Sequence, residues 1–89
     1  MVSTAGMNWS VYIIHCSDNS LYTGITTDVD ARFSQHASGK GAKYFRGRKP
    51  EAVVYVEDGH DRSSASREEI RLKKLSAREK WQLIEQAQK

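Results

Sequence analysis

The chain of 89 residues has one cysteine and one proline, and only 38% of its residues are hydrophobic. The lone Cys16 can form neither an internal disulfide nor a cysteine-rich metal cage, so stability must come from packing. No apolar run approaches the ~18 residues that a membrane helix needs. The first residues also lack the basic and apolar segments of a secretory signal. These absences predict one small, soluble, cytoplasmic domain without membrane contact.

Residues 1–8 show no apolar periodicity and are predicted to form a disordered tail ahead of a single domain at 9–89. Segments 9–16 and 21–26 are rich in β-branched and aromatic residues, and turn formers at 17–20 lie between them. This pattern predicts a β-hairpin whose strands carry apolar groups on both faces. Both faces of the sheet are therefore expected to be covered.

Asp28 is expected to cap a helix in which apolar residues recur every fourth position and which ends at Gly39. Four segments follow: a strand at 51–57, a polar turn at 58–62, a helix at about 63–75 and a last helix that begins at Ser76. Ser76 and Glu79 match a capping box, in which each side chain bonds a free amide at the helix end. The order β-β-α-β-α-α predicts an α/β sandwich with a small sheet between helices.

Residues 39–50, here called the basic loop, contain three glycines, no acid and five cations: Lys40, Lys43, Arg46, Arg48 and Lys49. The rest of the chain is net negative, so the positive field is local. Concentrated lysine and arginine bind phosphate backbones by releasing counterions, and Tyr44 and Phe45 can stack on unpaired bases. An ordinary solvated loop is the alternative, but uncompensated charge costs self-repulsion that a function would justify. The loop is therefore predicted to bind nucleic acid.

Three polar residues on the helices each have a functional and an ordinary interpretation. Arg32 and His36 are four apart, so both point the same way; they either contact a phosphate and move a proton or are simply solvated. Glu69 lies near the apolar side of its helix, where a carboxylate must be paired or coordinate a cation. It either forms a salt bridge with Lys73 one turn later or binds Mg²⁺, which accepts a single carboxylate.

Tyr12 and Tyr22 fall in the two strands of the predicted hairpin, where tyrosines are usually structural. Whether they share a face depends on the length of the connection between the strands. A plain two-residue turn at Asp18 and Asn19 would place them on opposite faces. They can share a site only if the loop has three or five residues, or if a bulge intervenes.

The order of these features is more specific than any one of them. It comprises Ser10-Val11-Tyr12, Tyr22-Thr23-Gly24, Arg32 and His36 on one helix, Gly-Lys-Gly-Ala-Lys-Tyr in the basic loop, and Glu69 on the next helix. Over about residues 9–83 this succession resembles the GIY-YIG nuclease domain, most closely the small stand-alone bacterial members. The resemblance implies an α+β fold with a small three-stranded antiparallel sheet flanked by three helices. It also implies metal-dependent hydrolysis of phosphodiester bonds in nucleic acid.

By position, the resemblance assigns catalytic roles to five side chains. Tyr12 matches the tyrosine that deprotonates or orients the attacking water, and Tyr22 matches the tyrosine of the second triad. Arg32 matches the arginine that binds the scissile phosphate, and His36 matches a supporting polar residue. Glu69 matches the one carboxylate that holds a single Mg²⁺ or Mn²⁺ ion.

Two departures from the family pattern accompany these matches: Ser10-Val11 stands in place of Gly-Ile, and Thr23 replaces the central Ile of the second triad. Every side chain that would carry the chemistry is nevertheless present. The sequence thus predicts an endonuclease selective for nucleic-acid structure rather than sequence, with DNA favoured over RNA as its partner. The alternatives are a nucleic-acid-binding module with little hydrolysis, and an adaptor that docks a protein partner supplying specificity.

Overall fold

The computed structural model describes residues 7–88, and its elements follow the order β-β-α-β-α-α. They are β1 (Trp9–Cys16), β2 (Leu21–Thr26), α1 (Val29–Ala37), β3 (Pro50–His60), α2 (Arg62–Lys73) and α3 (Ala77–Ala87). The strands form an antiparallel sheet in the order β2-β1-β3. This confirms the predicted fold class. Most of the predicted tail, residues 1–6, lies outside the described residues, and none of the described helices is long and apolar enough to cross a membrane.

Both faces of the central strand β1 are covered, as its alternating apolar residues predict. On one face, α2 and α3 pack over a cluster formed by Val11, Ile13, Ala65, Leu72 and Ile84. On the other face, α1 and the basic loop cover a second cluster formed by Tyr12, Ile14, Cys16 and Phe45. The second cluster is the one that contains a candidate catalytic residue.

The hairpin between β1 and β2 has a three-residue loop. The amide of Cys16 donates to the carbonyl of Ser20 at 2.9 Å, and Asn19 donates back to the Cys16 carbonyl at 2.9 Å. Asn19 has a φ of 67°, a left-handed conformation that asparagine tolerates. The resulting register pairs Ile14 with Tyr22. Tyr12 and Tyr22 therefore share one face, the arrangement that a catalytic role for both requires.

The prediction of a polar turn at 58–62 is wrong, because β3 continues to His60. Ser10 donates a hydrogen bond to the Asp58 carboxylate at 2.6 Å, and Gly59 has a φ of 81° next to a shift in register. The Asp-Gly pair thus forms an irregularity within an edge strand instead of a turn. Asp61 then caps α2 by accepting the amide of Ser64 at 2.7 Å, so the helix begins and ends slightly earlier than predicted.

The hydroxyl of Thr23 is buried without a hydrogen-bond partner among the described residues. Thr23 is 2% exposed and lies opposite Ile13, on the face that α2 covers. We expect Thr23→Val to raise the free energy of unfolding by about 1–2 kcal/mol, because it removes an unsatisfied polar group with little change in shape. Urea denaturation monitored by circular dichroism measures the effect.

Thr26→Val is the matched control in the same strand. The hydroxyl of Thr26 accepts the amide of Asp28 at 3.1 Å, so its removal should destabilise the protein. Equal effects from the two substitutions would contradict the assignment of an unsatisfied hydroxyl at Thr23.

Candidate active site

The phenol of Tyr12 lies across the neighbouring strand above Gly24. Tyr12 is 1% exposed, and Gly24 is its direct partner in β2. A Cβ atom added to Gly24 would lie 2.5 Å from the Tyr12 hydroxyl oxygen. A glycine at this position is therefore what allows the hydroxyl to reach over the edge strand of the sheet.

His36 of α1 holds the hydroxyl of Tyr12 from the helix side. Its Nε2 atom lies 3.0 Å from the Tyr12 oxygen, and its Nδ1 atom accepts the amide N–H of Ala42 at 3.2 Å. Because a backbone amide can only donate, the neutral ring carries its proton on Nε2 and donates it to the phenol oxygen. Burial, helped by the charge of Arg32, lowers the pKa of His36 to about 4. His36 is thus a neutral hydrogen-bond donor at physiological pH.

The start of the basic loop packs directly on this histidine. A Cβ atom on Gly41 would clash with the His36 ring and would also lie 2.9 Å from the His36 Cα atom. The sequence analysis did not identify this role of Gly41, or the role of the Ala42 amide. The only local signal for them is a second glycine placed two residues after the one that ends the helix.

Tyr22 connects the catalytic candidates to the basic loop. Its ring centroid lies 6.2 Å from that of Tyr12 and 5.2 Å from that of His36. It also lies 5.1 Å from Tyr44 and 4.9 Å from Phe45. The structure therefore brings both tyrosines and the histidine into one aromatic cluster that ends at the basic loop.

Arg32 and Glu69 belong to helices in opposite layers of the sandwich, and both influence the ionisation of Tyr12. Burial, followed by the neighbouring Tyr22, raises the pKa of Tyr12 to about 12; Arg32 opposes this shift by hydrogen bonding and charge, and Glu69 adds to it. Arg32 also donates from Nη1 to Gln35 at 2.8 Å, which leaves other guanidinium donors free. Arg32 and Glu69, two of the five side chains that the resemblance assigned to catalysis, thus both act on the phenol of Tyr12.

The salt bridge considered for Glu69 is present. Its Oε2 atom lies 3.3 Å from Lys73 Nζ, and the glutamate side chain is 22% exposed. An exposed pair of this spacing contributes only about 0.3–0.5 kcal/mol, so a stronger cation can displace the lysine. No cluster of three or more metal-ligating side chains occurs within residues 7–88. A single accessible carboxylate fits Mg²⁺, which keeps several waters and takes other ligands from phosphate.

Four of the five cations of the basic loop are exposed, and the fifth, Arg48, is paired with Asp18. The exposed four are Lys40, Lys43, Arg46 and Lys49. Arg48 Nε lies 3.0 Å from the Asp18 carboxylate, and its guanidinium stacks 4.0 Å from the centroid of the Tyr44 ring. Tyr44 is therefore half-buried, with one face covered. Phe45 is 7% exposed and packs 4.4 Å from His36. The prediction that Phe45 stacks on bases is wrong, because this ring belongs to the core.

Comparison with known proteins identifies the family of this chain. A family model described as the GIY-YIG catalytic domain matches residues 8–82. A UPF0213 protein of Cronobacter sakazakii is 51% identical over 85% of this chain and 80% of its own length. A UPF0213 protein of Neisseria meningitidis is 49% identical over 92% of this chain and 90% of its own length. The solution NMR structure of a UPF0213 protein from Bacillus halodurans is 52% identical, with a TM-score of 0.56 over 89% of this chain and 84% of that one. The protein therefore belongs to the GIY-YIG family, among its small UPF0213 members.

Proposed function

We propose that the protein is a metal-dependent endonuclease that hydrolyses phosphodiester bonds, in DNA rather than RNA, with selectivity for structure rather than sequence. One observation carries the proposal. The guanidinium of Arg32 on α1 and the carboxylate of Glu69 on α2 both act on the phenol of Tyr12 on β1, whose hydroxyl lies 3.0 Å from His36. Membership of a nuclease family supports the same chemistry.

Arg32 would bind the scissile phosphate. One of its Nη atoms is held by Gln35, which fixes the plane of the guanidinium and leaves a fork of donors for two phosphate oxygens. Its charge then stabilises the negative charge that develops on the phosphorus centre. The exposed lysines of the basic loop would hold the flanking phosphates, and contacts of this kind carry no sequence information.

Tyr12 would orient the attacking water and take its proton. With a pKa of about 12, Tyr12 is a neutral phenol in the free protein. The phenol must first give its own proton to solvent; the hydrogen bond from His36 and the charge of Arg32 favour the resulting phenolate, which then accepts the proton of the attacking water. The water oxygen bonds to phosphorus as the bond to the leaving sugar oxygen breaks, and the leaving oxygen takes a proton from solvent.

Glu69 would hold the divalent cation. The charge of its carboxylate acts on the phenol of Tyr12, and the carboxylate pairs with Lys73 at 3.3 Å. When bound, Mg²⁺ or Mn²⁺ supplies Lewis-acid stabilisation of charge on the phosphate and the leaving oxygen.

The test is cleavage of branched, flapped, single-stranded and duplex DNA in Mg²⁺ or Mn²⁺, and in EDTA. We expect cleavage that depends on the metal. Arg32→Ala should lower kcat by about 10²–10³-fold, the usual effect of removing a hydrogen-bond donor to charge that develops in the transition state. Arg78→Ala, which removes an exposed arginine of α3, is the control and should cleave at the wild-type rate. Cleavage by Arg32→Ala as fast as wild type would contradict the proposed mechanism.

The same assay separates the two other functions that the sequence permits. A binding module would bind these substrates in the presence of metal, in wild type and in Glu69→Gln alike, without turnover. An adaptor would retain its partner when Lys43, Arg46 and Arg48 are neutralised, whereas direct contact with nucleic acid would be lost.

A further inference from the structure

The most exposed large apolar side chain within residues 7–88 lies next to the proposed metal ligand. Ile70 on α2 is 54% exposed and directly follows Glu69 in the chain. Single exposed apolar residues are common on protein surfaces, so exposure alone assigns no role to this side chain. Its position on the helix and the charges around it are what distinguish it.

The two glutamates of α2 show which side of this helix borders the candidate active site. Glu68 lies on the side that faces β3, where it interacts with Glu57 of that strand. Glu69 lies on the other side, where its charge acts on the candidate catalytic phenol. Lys73 follows Glu69 by four positions and Ile70 by three, so it is a surface neighbour of both, and its Nζ atom lies 3.3 Å from the Glu69 carboxylate. Ile70 is therefore at the border of the candidate active site.

Exposed cations flank Ile70 on the outer face of α2. Arg67 precedes it by three positions and Lys74 follows it by four, so both are its neighbours on the helix surface. Arg67 donates to the hydroxyl of Ser63 at 3.1 Å, and neither cation forms a salt bridge with an acidic side chain of residues 7–88. These two positive charges are therefore available to a ligand.

This combination of groups is complementary to nucleic acid. The core of a protein–protein interface is depleted of charged residues, whereas Ile70 is set among them. Phosphates would accept the charges of Arg67 and Lys74, and the flat face of a base pair would cover the isoleucine. The outer face of α2 thus fits a duplex that also reaches Glu69.

We propose that Ile70 enters the base stack where the stack is interrupted, at a nick, flap or branch next to the scissile phosphate. Arg67 and Lys74 hold the phosphates beside the break. The inference rests on the proposed function for the identity of the substrate. Insertion of an apolar side chain into a continuous duplex costs stacking free energy, and at a break this cost is smaller because the stack is already weakened. Ile70 therefore gives a physical origin to selectivity for structure rather than sequence.

The test compares a nicked duplex with a continuous duplex of the same sequence, which have nearly the same charge. Binding is measured by fluorescence anisotropy in EDTA, so it does not depend on hydrolysis. The wild type is expected to bind the nicked duplex about five- to tenfold more tightly, as burial of the exposed half of one isoleucine allows. Ile70→Ser should bind the two duplexes equally, and Ile70→Leu should keep the preference. Serine and isoleucine have similar helix propensities, so α2 should persist in the serine variant.

Two further variants serve as controls. Val56→Thr removes part of another exposed apolar side chain, 44% exposed on β3 at the sheet edge opposite β2, and should keep the preference of the wild type. Arg67→Gln should weaken the binding of both duplexes alike. It should also lower by about 1 the slope of log affinity against log salt concentration, because one phosphate contact is lost.

A 2-aminopurine base beside the nick reports the contact directly, because its fluorescence rises when the neighbouring base unstacks. The wild type should raise this fluorescence, and Ile70→Ser should not. Equal affinity of the wild type for the two duplexes, a preference retained by Ile70→Ser, or an unchanged salt dependence in Arg67→Gln would overturn the inference. A preference that depends on Ile70, without cleavage by the wild type in Mg²⁺ or Mn²⁺, would overturn the proposed function and leave this inference standing.

Discussion

Glu69→Gln is expected to lower kcat in Mg²⁺ by about 10³-fold or more, because Lewis-acid stabilisation of the transition state contributes several kcal/mol. The amide keeps the shape of the side chain but loses the negative charge that acts on Tyr12 from α2. Stability should change by less than about 0.5 kcal/mol, since the pair with Lys73 is exposed. Single-turnover cleavage measures the rate, and calorimetric titration with Mn²⁺ measures the loss of metal affinity.

Glu85→Gln is the matched control for this charge change. Glu85 is exposed on α3, so its substitution should leave both the rate and the Mn²⁺ affinity unchanged. If Glu69→Gln binds Mn²⁺ as tightly as the wild type does, the carboxylate of Glu69 is not the metal ligand.

Tyr12→Phe should lower kcat by about 10²–10⁴-fold, the usual contribution of a positioned proton acceptor. The pH dependence identifies the role of the phenol. With a pKa of about 12, the phenolate fraction of Tyr12 rises tenfold for each pH unit in the range well below that value. Log kcat of the wild type should therefore rise with a slope of about 1 between about pH 6 and pH 9. His36, whose pKa is about 4, adds no inflection in this range.

Tyr55→Phe provides a control with similar electrostatics on the other face of the sheet. Burial and the hydrogen bond to Glu57 raise the pKa of Tyr55 to about 12 as well. This variant should keep both the rate and the slope of the wild type. A slope of 1 that persists in Tyr12→Phe would show that the proton of the attacking water goes elsewhere.

The fold was largely predictable because its signals are local. Caps at Asp28 and Ser76 and the alternation along β1 each depend on a few neighbouring residues. The register of the hairpin was left open, because it depends on the left-handed conformation of the single residue Asn19. The sequence analysis ended β3 too early, because residues 58–60 look like a turn. A contact distant in the sequence, between Ser10 and Asp58, helps to keep them in the strand.

The site was predictable only in part, for a related reason. The candidate roles of Tyr12, Arg32 and Glu69 follow from an ordered pattern of residues, and in the structure Arg32 and Glu69 both act on the Tyr12 phenol. The path of the basic loop has no periodicity from which it could be derived. Burial of Phe45 and the amide contact of Ala42 with His36 therefore became visible only in three dimensions.

The hydrogen bonds on the two sides of the His36 ring form a relay between the basic loop and the phenol. The Ala42 amide fixes the tautomer at 3.2 Å, and that tautomer alone lets the other ring nitrogen donate to Tyr12 at 3.0 Å. A displacement of the loop would free Nδ1 to take the proton and would turn a donor into an acceptor. Phosphate binding at the basic loop can thus influence the orientation of the Tyr12 hydroxyl through His36. In this small domain, the imidazole of His36 therefore couples substrate binding to the chemistry of Tyr12.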